Sequence, residues 1–173
     1  MAKEKIETLA VLDYLTLLPN RSGLYSFYSG LSIQEYVPAM FLDIDNFKRV
    51  NDTYGHQVGD ELLKAVTKDL QEIVPDAYIA RIGGDEFVIL IIGQREKHEI
   101  LEVAEEICDS VERLAVSPEV RSVISLSVGV LQRLLLMMYC SRVIRPCITR
   151  RRRVRTAIHS TSRSRKRWSL KQK

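Results

Sequence analysis

Tyr78-Ile79-Ala80-Arg81-Ile82-Gly83-Gly84-Asp85-Glu86-Phe87-Val88-Ile89-Leu90-Ile91-Ile92 is the stretch that decides how this chain folds. β-Branched and aromatic residues flank a Gly-Gly pair, the pattern of two strands joined by a tight turn. Asp85 and Glu86 fall just past the expected tip, where side chains reach solvent or a ligand rather than a core. Two readings are open here: a hairpin with two solvated acids, or a hairpin that carries a site.

Upstream, Ala39 to Leu42 is a candidate buried strand that ends in Asp43-Ile44-Asp45. Alternation along a strand puts Asp43 and Asp45 on one face. The bland account of these two acids is an N-cap pair for the turn that follows, Asn46 to Asp52. Thr53 to Asp60 reads as a loop opening a helix over Asp60 to Glu72, with Leu62, Leu63, Val66 and Leu70 at core-facing spacing. Pro75-Asp76 closes that helix.

Further out, residues 3–18 have helical periodicity and stop at Pro19-Asn20. Ser22 is a candidate cap for a short helix through Tyr28, broken by Gly30. Residues 95–115 form an amphipathic pattern with Ile100, Val103, Ala104, Ile107, Val111 and Leu114 inward. Ser117-Pro118 turns the chain into a strand over Val120 to Val130. The order helix, strand, helix, strand-turn-strand, helix, strand predicts an α+β sandwich, one sheet with helices packed on one face.

At 173 residues the chain supports one domain with a real core. The charged N-terminus lacks the apolar stretch of a secretory signal, and no run reaches the roughly 20 apolar residues of a membrane span. Cys108, Cys140 and Cys147 are odd in number without metal-like spacing, which predicts a reduced, cytoplasmic setting. The net charge of +4 averages two unlike parts: residues 131–173 hold 14 Lys+Arg and no acid, leaving 12 Lys+Arg against all 22 Asp+Glu in residues 1–130.

A strand ending in Asp43-Ile44-Asp45 and a hairpin ending in Asp85-Glu86 are natural sheet neighbours, so their carboxylates are expected at one sheet edge. Clustered acids without matching cations repel unless divalent ions neutralise them. Hard oxygen ligands favour Mg²⁺ or Mn²⁺. Two such ions roughly 3.5–4 Å apart serve nucleotidyl transfer by activating an attacking oxygen and steadying the leaving one. Gly83 and Gly84 would let a phosphate approach the backbone.

With these residues in view, the chain resembles the GGDEF domains, diguanylate cyclases that condense two GTP into cyclic di-GMP. The resemblance covers roughly residues 8 to 130. It is carried by Gly83-Gly84-Asp85-Glu86-Phe87, by Phe41-x-Asp43-Ile44-Asp45-x-Phe47-Lys48-x-Val50-Asn51-Asp52-x-Tyr54-Gly55-His56-x-x-Gly59-Asp60, by Ser125-Leu126-Ser127-Val128-Gly129-Val130, and by Asp13-x-Leu15-Thr16 … Leu18-x-Asn20-Arg21, in which Leu17 stands where the family has glycine. It implies a palm-like, ferredoxin-like antiparallel sheet with packed helices over residues 13–130, after an N-terminal helical stub (1–12). It implies Mg²⁺ or Mn²⁺ held by Asp43, the Ile44 carbonyl, Asp85 and Glu86, with Glu86 also helping to deprotonate the GTP 3′-hydroxyl. Asn51 and Asp60 would read the guanine edge, an amide and a carboxylate matching its donors and acceptor. His56 would line the nucleoside pocket. Backbone N–H groups of Asn46, Phe47 and Lys48 would cradle phosphates. Each domain holds one GTP, so a homodimer during catalysis is implied. The family's Arg-x-x-Asp product-inhibition site falls on Val74-Pro75-Asp76-Ala77 and is absent.

After Val130 the family continues with a helix whose basic residues grip phosphate, whereas this chain gives Leu131 to Cys140 and then an arginine-rich run. The genetic code supplies a test. Met137-Met138-Tyr139-Cys140 must be ATG ATG TAY TGY, which read from the third base gives Asp-Val-Leu, as the family helix has. The remaining frame meets a forced TGA stop. Residues 131–173 are therefore expected to be a frameshifted, poorly ordered tail, the shift lying between about Val130 and Leu136, with no nucleic-acid partner expected. The competing reading is a real basic tail for nucleic acid or anionic membrane.

Overall fold

The computed structural model describes residues 11–31, 37–93, 95–131 and 155–157. Five strands form one sheet in the order β2-β3-β1-β4-β5. They are β1 (Ala39–Asp45), β2 (Tyr78–Gly83), β3 (Glu86–Leu90), β4 (Ser125–Leu131) and β5 (Arg155–Ala157). The first four run antiparallel to their neighbours, the ferredoxin-like arrangement, and β5 lies parallel to β4 through Gly129, Val130 and Leu131. The basic tail otherwise falls outside the described residues, as do residues 3–10 of the expected N-terminal helix.

Alternation along the strands sorts the core into two faces. Met40, Leu42 and Ile44 of β1 join Phe87 and Ile89 of β3 and Leu126, Val128 and Val130 of β4. They pack against α3 (His56–Ile73) through Leu62, Leu63, Val66 and Leu70, and against α4 (Lys97–Asp109) through Ile100, Ala104 and Ile107. Each such side chain withdrawn from water contributes about 1.5–3 kcal/mol. The helical spacing of those apolar residues is what the sequence displayed, and all seven are buried.

The opposite face corrects the expectation of helices on one side only. Helix α1 (Arg21–Gly30) covers it with Leu24, packed against Ala39, Ala80, Val88 and Leu90, while Phe27 stacks on Tyr78. Ala39, Val88 and Leu90 alternate with core residues of the first face, so a strand buried on both sides reads as an unbroken apolar run. The cap of α1 is Asn20 rather than Ser22. Its Oδ1 accepts from the Ser22 and Gly23 amides at 2.8 and 3.0 Å, and its Nδ2 donates to the Leu12 carbonyl.

Other boundaries move for identifiable reasons. Residues 12–18 are a turn closed by a Leu12–Pro19 bridge rather than helix. The expected loop over 53–60 contracts to Gly55, which takes φ 88° between α2 (Phe47–Tyr54) and α3. One left-handed glycine turns the chain, and helix resumes at once. Ser117-Pro118 starts a short helix α5 (Pro118–Arg121), capped by the Ser117 hydroxyl, so β4 begins only at Ser125.

Candidate active site

The register of the central pair brings the acids together. In the β1–β3 ladder Asp43 lies opposite Glu86, and in the hairpin Gly83 pairs with Glu86, so Gly84 and Asp85 form the tip. Asp85 is therefore in the turn itself, one residue earlier than expected. Burial, then the charges of Asp85, Asp45 and Glu86, push the Asp43 carboxyl up to about 6. Among the described residues no lysine or arginine forms an ion pair with any of the four.

Asp45 differs from Asp43 although both occupy one face. Its Oδ2 accepts from the hydroxyls of Ser125 and Ser127 at 2.6 and 2.8 Å, which binds it to β4. Among the described residues Asp43, Asp85 and Glu86 carry no such bonds, and they are the three carboxylates that the family resemblance assigns to metal. Among the described residues no three His, Cys, Asp or Glu side chains close into a ready metal cage. The fit to a divalent cation rests instead on donor chemistry: hard oxygens whose mutual repulsion no ion pair among the described residues offsets. Ile44 keeps its side chain in the core, which leaves only its backbone at this edge.

The glycines of the tip have different grounds. A Cβ on Gly83 would meet Glu86 Oε2 at 3.1 Å, whereas one on Gly84 would meet nothing within 4 Å. Neither glycine has a positive φ. Packing and conformation thus leave the glycine at position 84 unexplained, as expected where a ligand rather than the protein must pass close.

Beside this edge lies the start of α2. Asn46 is left-handed, with φ 64°, and turns its Nδ2 to the Val123 carbonyl at 2.8 Å instead of capping the helix. Among the described residues no side chain caps α2, so the N–H groups of its first turn, including Phe47 and Lys48, are left at the positive end of the helix. Lys48 is exposed above them. Asn51, further along α2, rests against Gly59 of α3, next to Asp60. His56 is exposed at the first position of α3. The structure seats Asn51 against Gly59, the residue before Asp60, and it sets the Asp43–Glu86 pair on the β1 end that feeds α2.

Arg81 was not singled out by the sequence. Its Nη1 donates to Asp13 Oδ1 at 2.8 Å, while Nε and Nη2 donate to the Gly84 carbonyl at 3.1 and 2.8 Å. The guanidinium therefore ties the hairpin tip to the 12–19 turn. The same Asp13 Oδ1 accepts from the Thr16 amide and hydroxyl. Burial opposes ionisation of Asp13, but the Thr16 and Arg81 hydrogen bonds outweigh it and hold the carboxyl below its ordinary value. The one available signal was a lone cation three residues before a turn carbonyl.

At the other end of the sheet a cleft of about 60 Å³ is lined by Val74, Ala77, Ile91, Ile92, Arg95 and Ile100, among others. It is far below the roughly 300–1,000 Å³ of ligand pockets. Among the described residues no helix is long and apolar enough to cross a membrane.

The chain is 42% identical over 96 residues to Signaling protein YkoW of Bacillus subtilis (strain 168), covering 52% of this chain and 12% of that one. It is 38% identical over 91 residues to the probable diguanylate cyclase DgcF of Escherichia coli (strain K12), covering 51% and 29%. It thus spans less than a third of the length of these curated relatives. The crystal structure of the coiled coil and GGDEF domain of DgcB from Caulobacter crescentus, in complex with c-di-GMP, superposes with a TM-score of 0.66 at 26% identity, over 76% of this chain and 74% of that one. The family model for the diguanylate cyclase GGDEF domain matches residues 10–133, which include the acidic edge, Asn51, Asp60 and all four antiparallel strands. This chain belongs to the GGDEF-domain family of diguanylate cyclases.

Proposed function

We propose that this chain condenses two GTP molecules into cyclic di-GMP, each 3′-hydroxyl attacking the α-phosphorus of the other nucleotide as two pyrophosphates leave. The observation that carries the reading is the Asp43–Glu86 register. It gathers Asp43, Asp85 and Glu86 at one edge with no ion-paired cation among the described residues, and burial, then the neighbouring charges, push the Asp43 carboxyl up to about 6. The kinship to a probable diguanylate cyclase and to a domain crystallised with c-di-GMP supports it.

Asp43, the Ile44 carbonyl, Asp85 and Glu86 would hold Mg²⁺ or Mn²⁺, which when bound lowers the pKa of the attacking hydroxyl and offsets charge on the leaving pyrophosphate. Glu86 takes up the proton of the 3′-hydroxyl. The N–H groups of Asn46, Phe47 and Lys48 receive phosphate oxygens, and the bare backbone of Gly83 and Gly84 admits the triphosphate. Asn51 and Asp60 read the guanine edge: the carboxylate accepts from N1–H, and the amide oxygen accepts from the 2-amino group. His56 flanks the nucleoside. One domain offers one such edge, so the reaction brings two copies of the chain face to face.

Incubating the purified protein with GTP and Mg²⁺ and resolving the products by chromatography is the test. Cyclic di-GMP and pyrophosphate are expected, with none from Asp85→Asn or Glu86→Gln. Product that persists in both variants refutes the site. GTP bound without product identifies a binding domain instead.

A further inference from the structure

The geometry points to Gly59 as a positioning residue for base recognition: it is the notch that seats the Asn51 carboxamide beside Asp60. The inference rests on the proposed guanine-reading role of Asn51 and Asp60 and adds a residue to it. Gly59 is buried in the second turn of α3, and its φ is in the ordinary helical range, so its own backbone does not require glycine. The side chain that occupies the missing Cβ position is Asn51. A Cβ there would penetrate Asn51 Oδ1 and come within 3.0 Å of Asn51 Cγ, while Phe47 Cζ stands at an ordinary 3.4 Å. What the glycine accommodates is thus the functional end of one side chain, and little else.

The consequence is an unusual separation of stability from recognition. Alanine is a better helix former than glycine, and the only group in its way is the end of a flexible side chain. Gly59→Ala is accordingly expected to fold, with Asn51 displaced. An amide reads a base edge only when its oxygen and nitrogen are held in one orientation, and a rotated or lifted carboxamide loses that reading. Asp60 keeps its place in the helix, so phosphate and metal contacts stay as they are.

The experiment titrates the chain of 173 residues with 3′-deoxy-GTP and 3′-deoxy-ITP by calorimetry in Mg²⁺. Neither ligand has the attacking hydroxyl, and the second lacks the 2-amino group. The wild type should prefer the guanine ligand by about tenfold, one hydrogen-bonding group's worth of affinity. Gly59→Ala should lose about tenfold for the guanine ligand and no more than about twofold for the inosine one. Asn51→Ala should match it, and the double variant should be no worse than Asn51→Ala alone, because both changes remove the same contact. Unchanged discrimination in Gly59→Ala overturns the inference, and so do losses that add in the double variant. Melting temperatures give a second reading. Gly59→Ala should melt at or above the wild type, and if it melts lower, removing Asn51 should restore it. A deficit that persists in the double variant overturns the seating. A wild type that binds neither nucleotide refutes the cyclase reading, while the melting comparison still judges the packing of Asn51 on Gly59.

Discussion

Asp43→Asn should make the metal-free protein more stable while abolishing its activity. Asp43 is half-buried at the end of β1, opposite Glu86 and near Asp85 and Asp45, and its carboxyl is raised from 3.8 to about 6. A carboxyl whose folded value lies above its unfolded value stabilises the fold only while protonated. That contribution is complete below about 3.8 and is lost as pH rises through about 6. At about 1.36 kcal/mol for each tenfold change in proton affinity, the rise sets a ceiling of about 3 kcal/mol. Solvent reaches this edge, and screening reduces the figure to about 1–2 kcal/mol. For a domain of this size that corresponds to a melting temperature higher by roughly 5 °C. Asparagine keeps the shape and removes the charge. Thermal melts followed by circular dichroism in EDTA should show the variant more stable at pH 7.5, with the gap closing toward pH 4.5, where the wild-type carboxyl is already protonated. Adding Mg²⁺ should raise the wild-type midpoint and leave the variant unmoved. A variant that melts at or below the wild type at pH 7.5 refutes the repulsion argument, and equal stabilisation of both by Mg²⁺ refutes the metal assignment.

Three further outcomes follow from other parts of the structure. Leu17 is left-handed, with φ 59°, and 72% exposed, so Leu17→Gly should relieve backbone strain at little loss of burial and stabilise by about 0.5–1 kcal/mol in urea unfolding; a loss of stability counts against strain at that turn. Arg81→Ala, which severs the links to both Asp13 and the Gly84 carbonyl, should cost about 2–3 kcal/mol and lower turnover more than it raises KM, with Arg81→Lys recovering only part; full activity in Arg81→Ala excludes a role in holding the tip. Sequencing the gene across codons 128–140 should reveal the alternative open frame, and expressing a version with that frame restored after Val130 should yield a family-like helix and at least tenfold tighter GTP binding; unchanged affinity would count against the frameshift.

The elements were readable where periodicity is strong. Leu62, Leu63, Val66 and Leu70 announced α3, and the apolar run before Asp43 announced β1, because burial on one helical face or on both strand faces leaves a pattern that no partner is needed to interpret. The boundaries were harder. Asn20 and Ser22 are both good caps, and only the position of Leu12, which receives the Asn20 amide, decides between them. Thr53 to Asp60 is polar enough to read as a loop, yet Gly55 alone makes the turn. Leu17, noted only as a departure from the usual glycine, proves to occupy the backbone conformation that glycine would have taken without strain.

Local sequence alone determined the chemistry of this protein: which carboxylates end a strand, which glycines break a hairpin, and which amide and acid lie at family spacing. Those properties are written in residue type and short-range order. Tertiary structure decided how the groups act on one another. The opposition of Asp43 and Glu86, the diversion of Asp45 to Ser125 and Ser127, the clamp of Arg81 on Gly84, and the seat of Asn51 on Gly59 all join different secondary-structure elements or opposite sides of a turn. Electrostatic repulsion and steric fit depend on distance in space, which the order of residues along the chain does not specify until the strands and helices have packed.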